Sequence, residues 1–172
     1  MSQNWESQNP PNWYALRVRP NAEKAAAESL RLAGLEEFLP LARTRRNWSD
    51  RVKLLDIPLF PGYLFCRVSL DIPYRIVDTP GVIGFVGFHG TPEPIPVEEI
   101  DAVKRMLDAR RRLRCMALLR EGQRVEVRDG PLAGLQGVLA RIKNENHLVV
   151  HLHLLQRSVA VELEGDAVIP YA

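Results

Sequence analysis

The last roughly 50 residues are the most constrained part of this chain. From Glu121 onward, β-branched pairs recur at Val125/Val127, Val149/Val150 and Val159/Val161. Such side chains are stiff at χ1 and fit a pleated surface better than a helix. Gly130, Gly134 and Gly137 would each cost a helix about 1 kcal/mol, and Pro131 about 3. Only Leu148 to Leu155 tolerates helix. Asp129-Gly130-Pro131 signals a turn, and Lys143-Asn144-Glu145-Asn146 a hairpin loop. Strands are expected from the Gly134/Gly137 region to Ile142, over Leu148–Leu154 and over Ser158–Leu163. So short a stretch sits near the lower limit for an independent core, which favours a compact barrel, formed from the outset.

The preceding 120 residues mix strand and helix signals. Trp13 to Val18, bounded by Asn12 and Pro20, reads as a strand. Asn21 is placed as an N-cap for a helix in which Ala22, Ala26, Leu30 and Ala33 recur before Gly34. Extended segments follow at Glu37–Ala42, Tyr63–Val68 and Ile83–Phe88, with a short helix near Asp71 that carries Pro73 in its first turn. A last helix is expected from Val97 to Leu113, acids first and arginines last, with Ile100, Val103 and Leu107 buried. The order predicts a small α+β domain with a mainly antiparallel sheet.

Charge follows the same division. Up to Arg120 there are 18 Lys/Arg against 14 Asp/Glu, and from Glu121 onward 5 against 7. No run of ~18 apolar residues exists, so no membrane-spanning helix is expected. The polar start from Met1 to Pro11 lacks the apolar run of a secretory leader. Cys66 and Cys115 are too few for a disulfide framework or a four-ligand zinc site, and a cytoplasmic location follows.

Catalytic patterns are missing. Gly81, Gly84, Gly87 and Gly90 are spaced as neither a dinucleotide fingerprint nor a phosphate loop, and read as strand and turn glycines. His151 and His153 share a strand face but lack a third ligand, so no metal or other cofactor is expected. No nucleophile-elbow signature accompanies them. The chain reads as a non-enzyme.

Two surface features remain. Arg43, Arg45, Arg46, Arg51 and Lys53, with Trp48 among them, lie between two strands and set five cations against Asp50. A long, basic hairpin loop with one aromatic suits phosphate contact and base stacking, so contact with nucleic acid, or with a polymerase that holds it, is expected. The second basic cluster, Lys104 to Arg114, reads as the solvated end of a helix. Leu59 to Phe65 holds three aromatic residues within six positions. Alternation keeps them off a single strand face, so pattern alone leaves core and exposed patch equally open.

These motifs resemble the NusG family of bacterial transcription elongation factors. Trp13-Tyr14-Ala15-Leu16 resembles the family's opening strand, and Pro58-Leu59-Phe60-Pro61-Gly62-Tyr63-Leu64-Phe65 its most recognisable motif. Thr79 to Gly87 resembles the loop and strand that follow, and Glu121–Val125, Asp129–Pro131 and Gly134–Gly137 resemble the KOW motif. The resemblance implies an RNP-like αβ sandwich (the NGN domain) over residues 12–113 and an SH3-like all-β KOW barrel over 121–172. It implies a disordered tail over 1–11 and a linker over 114–120, which without Gly or Pro restricts the swing of the barrel.

The resemblance further implies a monomer that binds RNA polymerase, away from membranes, and promotes processive elongation. Arg17, Phe60, Tyr63 and Phe65 would face the clamp helices, and Tyr74 and Arg75 the opposite lobe of the channel. Thr79 would lie by the non-template DNA strand. Leu155, Gln156 and Arg157 stand where the family's barrel holds ribosomal protein S10 or termination factor Rho, at a turn that often reads Phe-Gly-Arg. That departure leaves both partners open, and the Trp48-Ser49-Asp50-Arg51 loop and the Leu59–Phe65 run resemble those of specialised, operon-specific antiterminators. The alternatives are a housekeeping factor acting with Rho and a KOW-type RNA or ribosome-binding module.

Overall fold

The computed structural model describes residues 10–71, 74–118 and 122–171. The N-terminal elements are β1 (Asn12–Val18), α1 (Glu23–Leu32), β2 (Glu36–Phe38), β3 (Leu41–Asn47), β4 (Val52–Pro58) and β5 (Tyr63–Val68). The middle of the chain holds α2 (Tyr74–Val77), β6 (Val82–Phe85), β7 (Gly87–Phe88), β8 (Thr91–Pro92), β9 (Pro94–Ile95) and α3 (Val97–Asp108). The rest is strand: β10 (Leu113–Ala117), β11 (Gln123–Val127), β12 (Gln136–Ile142), β13 (Glu145–Leu152), β14 (Arg157–Glu162) and β15 (Val168–Pro170). The chain is α+β with antiparallel sheets, as the pattern predicts. It forms two compact units, one running to Leu39 and resuming over Phe60–Val97, the other comprising Pro40–Leu59 and Glu98 onward.

In the first unit the sheet runs β2-β5-β1-β6, and β9 also pairs with β1. β1 is buried on both faces from Trp13 to Leu16. Tyr14, Leu16 and Val18 point to one face, where Ala26, Ala27 and Leu30 of α1 complete a core with Leu64, Cys66 and Ile76. Burial, with Glu37 and Glu36 nearby, pushes the Cys66 thiol up to about 12, so it is a core residue and not a nucleophile. Trp13, Ala15 and Arg17 point to the opposite face, in register with Arg67, Phe65 and Tyr63. The turn into β5 has a local cause. Tyr63 donates its N–H to the Phe60 carbonyl at 3.1 Å, and Gly62 takes φ +83°, which Pro61-Gly62 supplies at little cost. Glu23 then accepts the Gly62 N–H at 2.9 Å, tying the start of α1 to this turn.

In the second unit one six-stranded sheet runs β10-β14-β13-β12-β11-β15. Val125, Val127, Leu148, Val149, Val159 and Val161 are buried in it, so the β-branched pairs do form strands. Lys143 and Asn144 both take positive φ (51° and 68°) between Ile142 and Glu145, the mark of a two-residue type I′ hairpin. At Gly137 a Cβ would meet the Val149 carbonyl of the neighbouring strand, so the close pairing of β12 with β13 requires glycine.

Several expectations are corrected. Asn21 does not cap α1: it takes φ 65°, and Ala22 is the N-cap without a side-chain hydrogen bond. Pro40 separates β2 from β3, where one extended segment was expected. The last helix stops at Asp108 rather than Leu113, because Arg110 turns into the left-handed region at φ 54°. Arg114 to Ala117 of the expected linker belong to β10, where Leu113 and Cys115 pair with Val161 and Val159 along the edge of β14. Linker positions 119 and 120, Pro73 and tail residues 1–9 lie outside the described residues. β15 gave no sequence signal beyond Val168 and Ile169.

Candidate functional site

Arg17, Phe60, Tyr63 and Phe65 gather on the sheet face opposite α1. Arg17 stands directly across from Tyr63, and Ala15 across from Phe65. Their accessibility differs. Phe65 is fully buried and Phe60 nearly so, which corrects the expectation that both rings form a docking surface. Phe65 stacks on Phe38 with centroids 6.0 Å apart and meets Phe60 edge-on at 5.8 Å. Trp13 meets the other side of Phe38 edge-on at 6.4 Å. The aromatic run therefore divides, with Phe60 and Phe65 as core, Tyr63 half-exposed and Arg17 exposed.

Arg75, on α2, is exposed; the Tyr74 side chain lies outside the described residues. Thr79 does not offer a hydroxyl to DNA. It is buried, and its Oγ1 donates to the Arg75 carbonyl at 3.2 Å, closing the end of α2.

The basic segment is a regular hairpin. β3 and β4 pair from Leu41/Pro58 to Asn47/Val52, and the tip closes where Trp48 donates its N–H to the Arg51 carbonyl at 2.8 Å. Register sets Arg46 beside Lys53 on one face and Arg45 beside Leu54 on the other. Trp48 is 56% exposed, and the Lys53 ammonium lies 6.0 Å from its ring centroid. Arg43 is tied to Asp56 at 3.2 Å. The other cations of the hairpin, Arg45, Arg46, Arg51 and Lys53, are exposed and carry no carboxylate partner among the described residues.

At the β13–β14 turn, Leu155 is buried, so only Gln156 and Arg157 of the expected partner-binding triplet are exposed. Gln156 takes φ 51° and bonds through Nε2 to the His153 carbonyl at 2.7 Å. The histidine pair is accounted for by hydrogen bonds. His151 Nδ1 lies 2.8 Å from Ser158 Oγ, and His153 Nδ1 lies 2.7 Å from Glu99 Oε1 on α3. Burial, reinforced by the His153 ring 5.6 Å away, pushes the His151 imidazole below its ordinary range. No cluster of three metal-ligating side chains occurs among the described residues.

One functional group escaped the sequence reading. Arg111, read as part of a solvated helix end, is largely withdrawn from solvent in an ion pair with Asp166 at 2.8 Å and also donates to the Glu162 carbonyl at 3.3 Å. A charge run carries no signal that singles out its one withdrawn member.

The chain is similar to known proteins over most of its length. A family model described as "Transcription termination factor nusG" matches residues 11–104, more than half of the chain. The Transcription termination/antitermination protein NusG of Pseudomonas aeruginosa is 30% identical, covering 91% of this chain and 96% of its own length. Its counterpart in Halalkalibacterium halodurans is 28% identical, covering 95% and 96%. Among solved structures, NusG of Thermotoga maritima, in a study of its domain interaction, superposes with TM-score 0.51 at 20% identity, over 90% of this chain and 93% of that one. The matched stretch takes in β1, the Phe60-Pro61-Gly62 turn, β5 and the hairpin, the elements that carry most of the candidate residues, and the chain belongs to the NusG family.

Proposed function

We propose that this NusG-family protein binds RNA polymerase through the exposed margin of the first unit's sheet and promotes processive elongation as an antiterminator. The observation that carries the reading is the cross-strand pair of Arg17 and Tyr63, displayed beside the family's Phe-Pro-Gly turn on a rigid sheet. A guanidinium next to a half-exposed tyrosine suits an interface, where arginine and tyrosine concentrate binding energy. Binding that favours the closed, elongating polymerase over the paused one would act as a population shift. Arg75 on α2 serves a second contact across the channel, and the hairpin reaches toward nucleic acid. The KOW region recruits a further partner, ribosomal protein S10 in this reading, through Gln156 and Arg157. The protein acts by binding and not by catalysis. Replacement of the usual Phe-Gly-Arg turn by Leu155-Gln156-Arg157 favours antitermination over a Rho-dependent housekeeping role.

Arg17→Glu combined with Tyr63→Ala tests the reading, because both positions are accessible and the fold should survive. Interface anchors cost ~2 kcal/mol or more each, about 4 kcal/mol together, so polymerase affinity should weaken by roughly several hundred-fold. Readthrough in single-round transcription should fall with it. Undiminished polymerase binding by a folded double variant would overturn the assignment.

A further inference from the structure

We propose that the hairpin base and the arginines that follow α3 form one cationic cleft that holds the phosphate backbone of single-stranded nucleic acid. The inference rests on the nucleic-acid reading of the hairpin and extends it to residues more than 60 positions further along the chain. The cleft has a volume of about 970 Å³, and its lining sets six arginines against a single acid, Asp56. One wall is β3, contributing Arg43 and Arg45; the other is the segment from Arg110 to Arg114.

Not all of this charge is available. Asp56 occupies Arg43, and Asp166 occupies Arg111. Arg45, Arg110, Arg112 and Arg114 are exposed and have no carboxylate partner among the described residues. Four unpaired guanidinium groups far outweigh the roughly −0.5 charge at the nearby C-terminus of α3. Arg111 has a different part. Its buried pair with Asp166 anchors the strand of arginines to the second unit, so Arg110 and Arg112 are held in place on either side of it.

The lining identifies the ligand class. No aromatic residue lines the cleft and its exposed polar groups are mostly guanidinium, so phosphate is the group it fits best. The aromatic platform lies at the end of the same hairpin. Trp48 is three residues beyond Arg45, about 10 Å along an extended strand, and is exposed. A cationic groove that tracks the backbone, continuous with an exposed aromatic for stacking, is how proteins bind single strands without regard to sequence. A duplex, with its bases stacked inside, could use the arginines but not Trp48.

The experiment uses the full chain without polymerase, so its outcome is independent of the Arg17/Tyr63 contact. Binding of a fluorescent 20-nucleotide oligo(dT) is followed by anisotropy between about 50 and 200 mM salt, with circular dichroism to confirm folding. Each phosphate contact contributes about 0.7 to the slope of log affinity against log salt for a single strand. Arg110→Ala/Arg112→Ala/Arg114→Ala should therefore lower the slope by roughly 2. Trp48→Ala should weaken binding at every salt concentration and leave the slope unchanged. A wild-type slope in the triple variant would overturn the cleft while leaving the hairpin-tip reading in place. Absence of oligo(dT) binding by the wild type, or tighter binding of a 20-base-pair duplex that Trp48→Ala does not affect, would overturn it too. Full displacement of the oligonucleotide by stoichiometric tripolyphosphate or by poly-glutamate would assign the cleft to another polyanion and likewise refute the proposal.

Discussion

Phe65→Ala should cost about 3–5 kcal/mol of stability, the range for deleting a buried aromatic ring. Phe65 has no exposed surface, and its ring is shared between Phe38 at 6.0 Å and Phe60 at 5.8 Å. Removing it leaves both neighbours facing a cavity that the sheet cannot close, because β5 is paired on both sides by β1 and β2. Chemical denaturation should show the loss as a lower midpoint with little change in the slope. Tyr63→Ala, on the same strand but half-exposed, should lose far less. A Phe65→Ala protein as stable as the wild type would mean that the aromatic cluster is a surface and not a core.

Arg111→Ala should be about as damaging, for an electrostatic reason. The Arg111 and Asp166 side chains are only 12% and 2% exposed, and their contact is 2.8 Å. Truncating one member of such a pair strands the other charge in a medium that solvates it poorly, typically at a cost of 3–5 kcal/mol. Asp166 is ill placed to compensate, since its Oδ2 already has no hydrogen-bond partner among the described residues. Gly130 packs so closely that a Cβ there would come within 3.1 Å of that oxygen. Arg112→Ala, one residue along and exposed, should change stability by no more than about 0.5 kcal/mol. Adding Asp166→Ala to Arg111→Ala should recover part of the loss, as a coupled pair requires. Equal, small effects of Arg111→Ala and Arg112→Ala would return the whole arginine run to solvent.

These two residues show where the sequence was legible. β1 was readable because Trp13 to Val18 is rich in aromatic and apolar residues and is bounded by Asn12 and Pro20. The hairpin loop at Lys143-Asn144 was readable because its chemistry is local, although Glu145 and Asn146, expected in the loop, open β13. Helix boundaries were less so. Asn21 has the right side chain for an N-cap, but the backbone places it one position early and in the left-handed region. Nothing in residues 110–113 forbids helix, and the chain leaves it where Leu113 can pair with Val161 across the sheet.

Site residues divide in the same way. The family resemblance picked out Arg17 and Tyr63, which are exposed and half-exposed, and the hairpin cations of the basic run are exposed as well. It misplaced Phe60, Phe65, Thr79 and Leu155, whose burial depends on neighbours from distant segments. For Phe65 those neighbours include Phe38, 27 positions away. The arginine cleft was invisible for the same reason, being made of two unremarkable charge runs that only the fold brings together.

The central claim is that the Arg17/Tyr63 margin of the sheet meets RNA polymerase, and photocrosslinking tests it most directly. Benzoylphenylalanine at position 63 occupies a half-exposed site on a rigid strand and reports only what comes within side-chain reach. In an elongation complex assembled from purified polymerase and the full-length protein, irradiation should join position 63 to the clamp helices, and Arg17→Glu should diminish that product. A crosslink confined to RNA, or none to polymerase while the protein remains bound to the complex, would contradict the account.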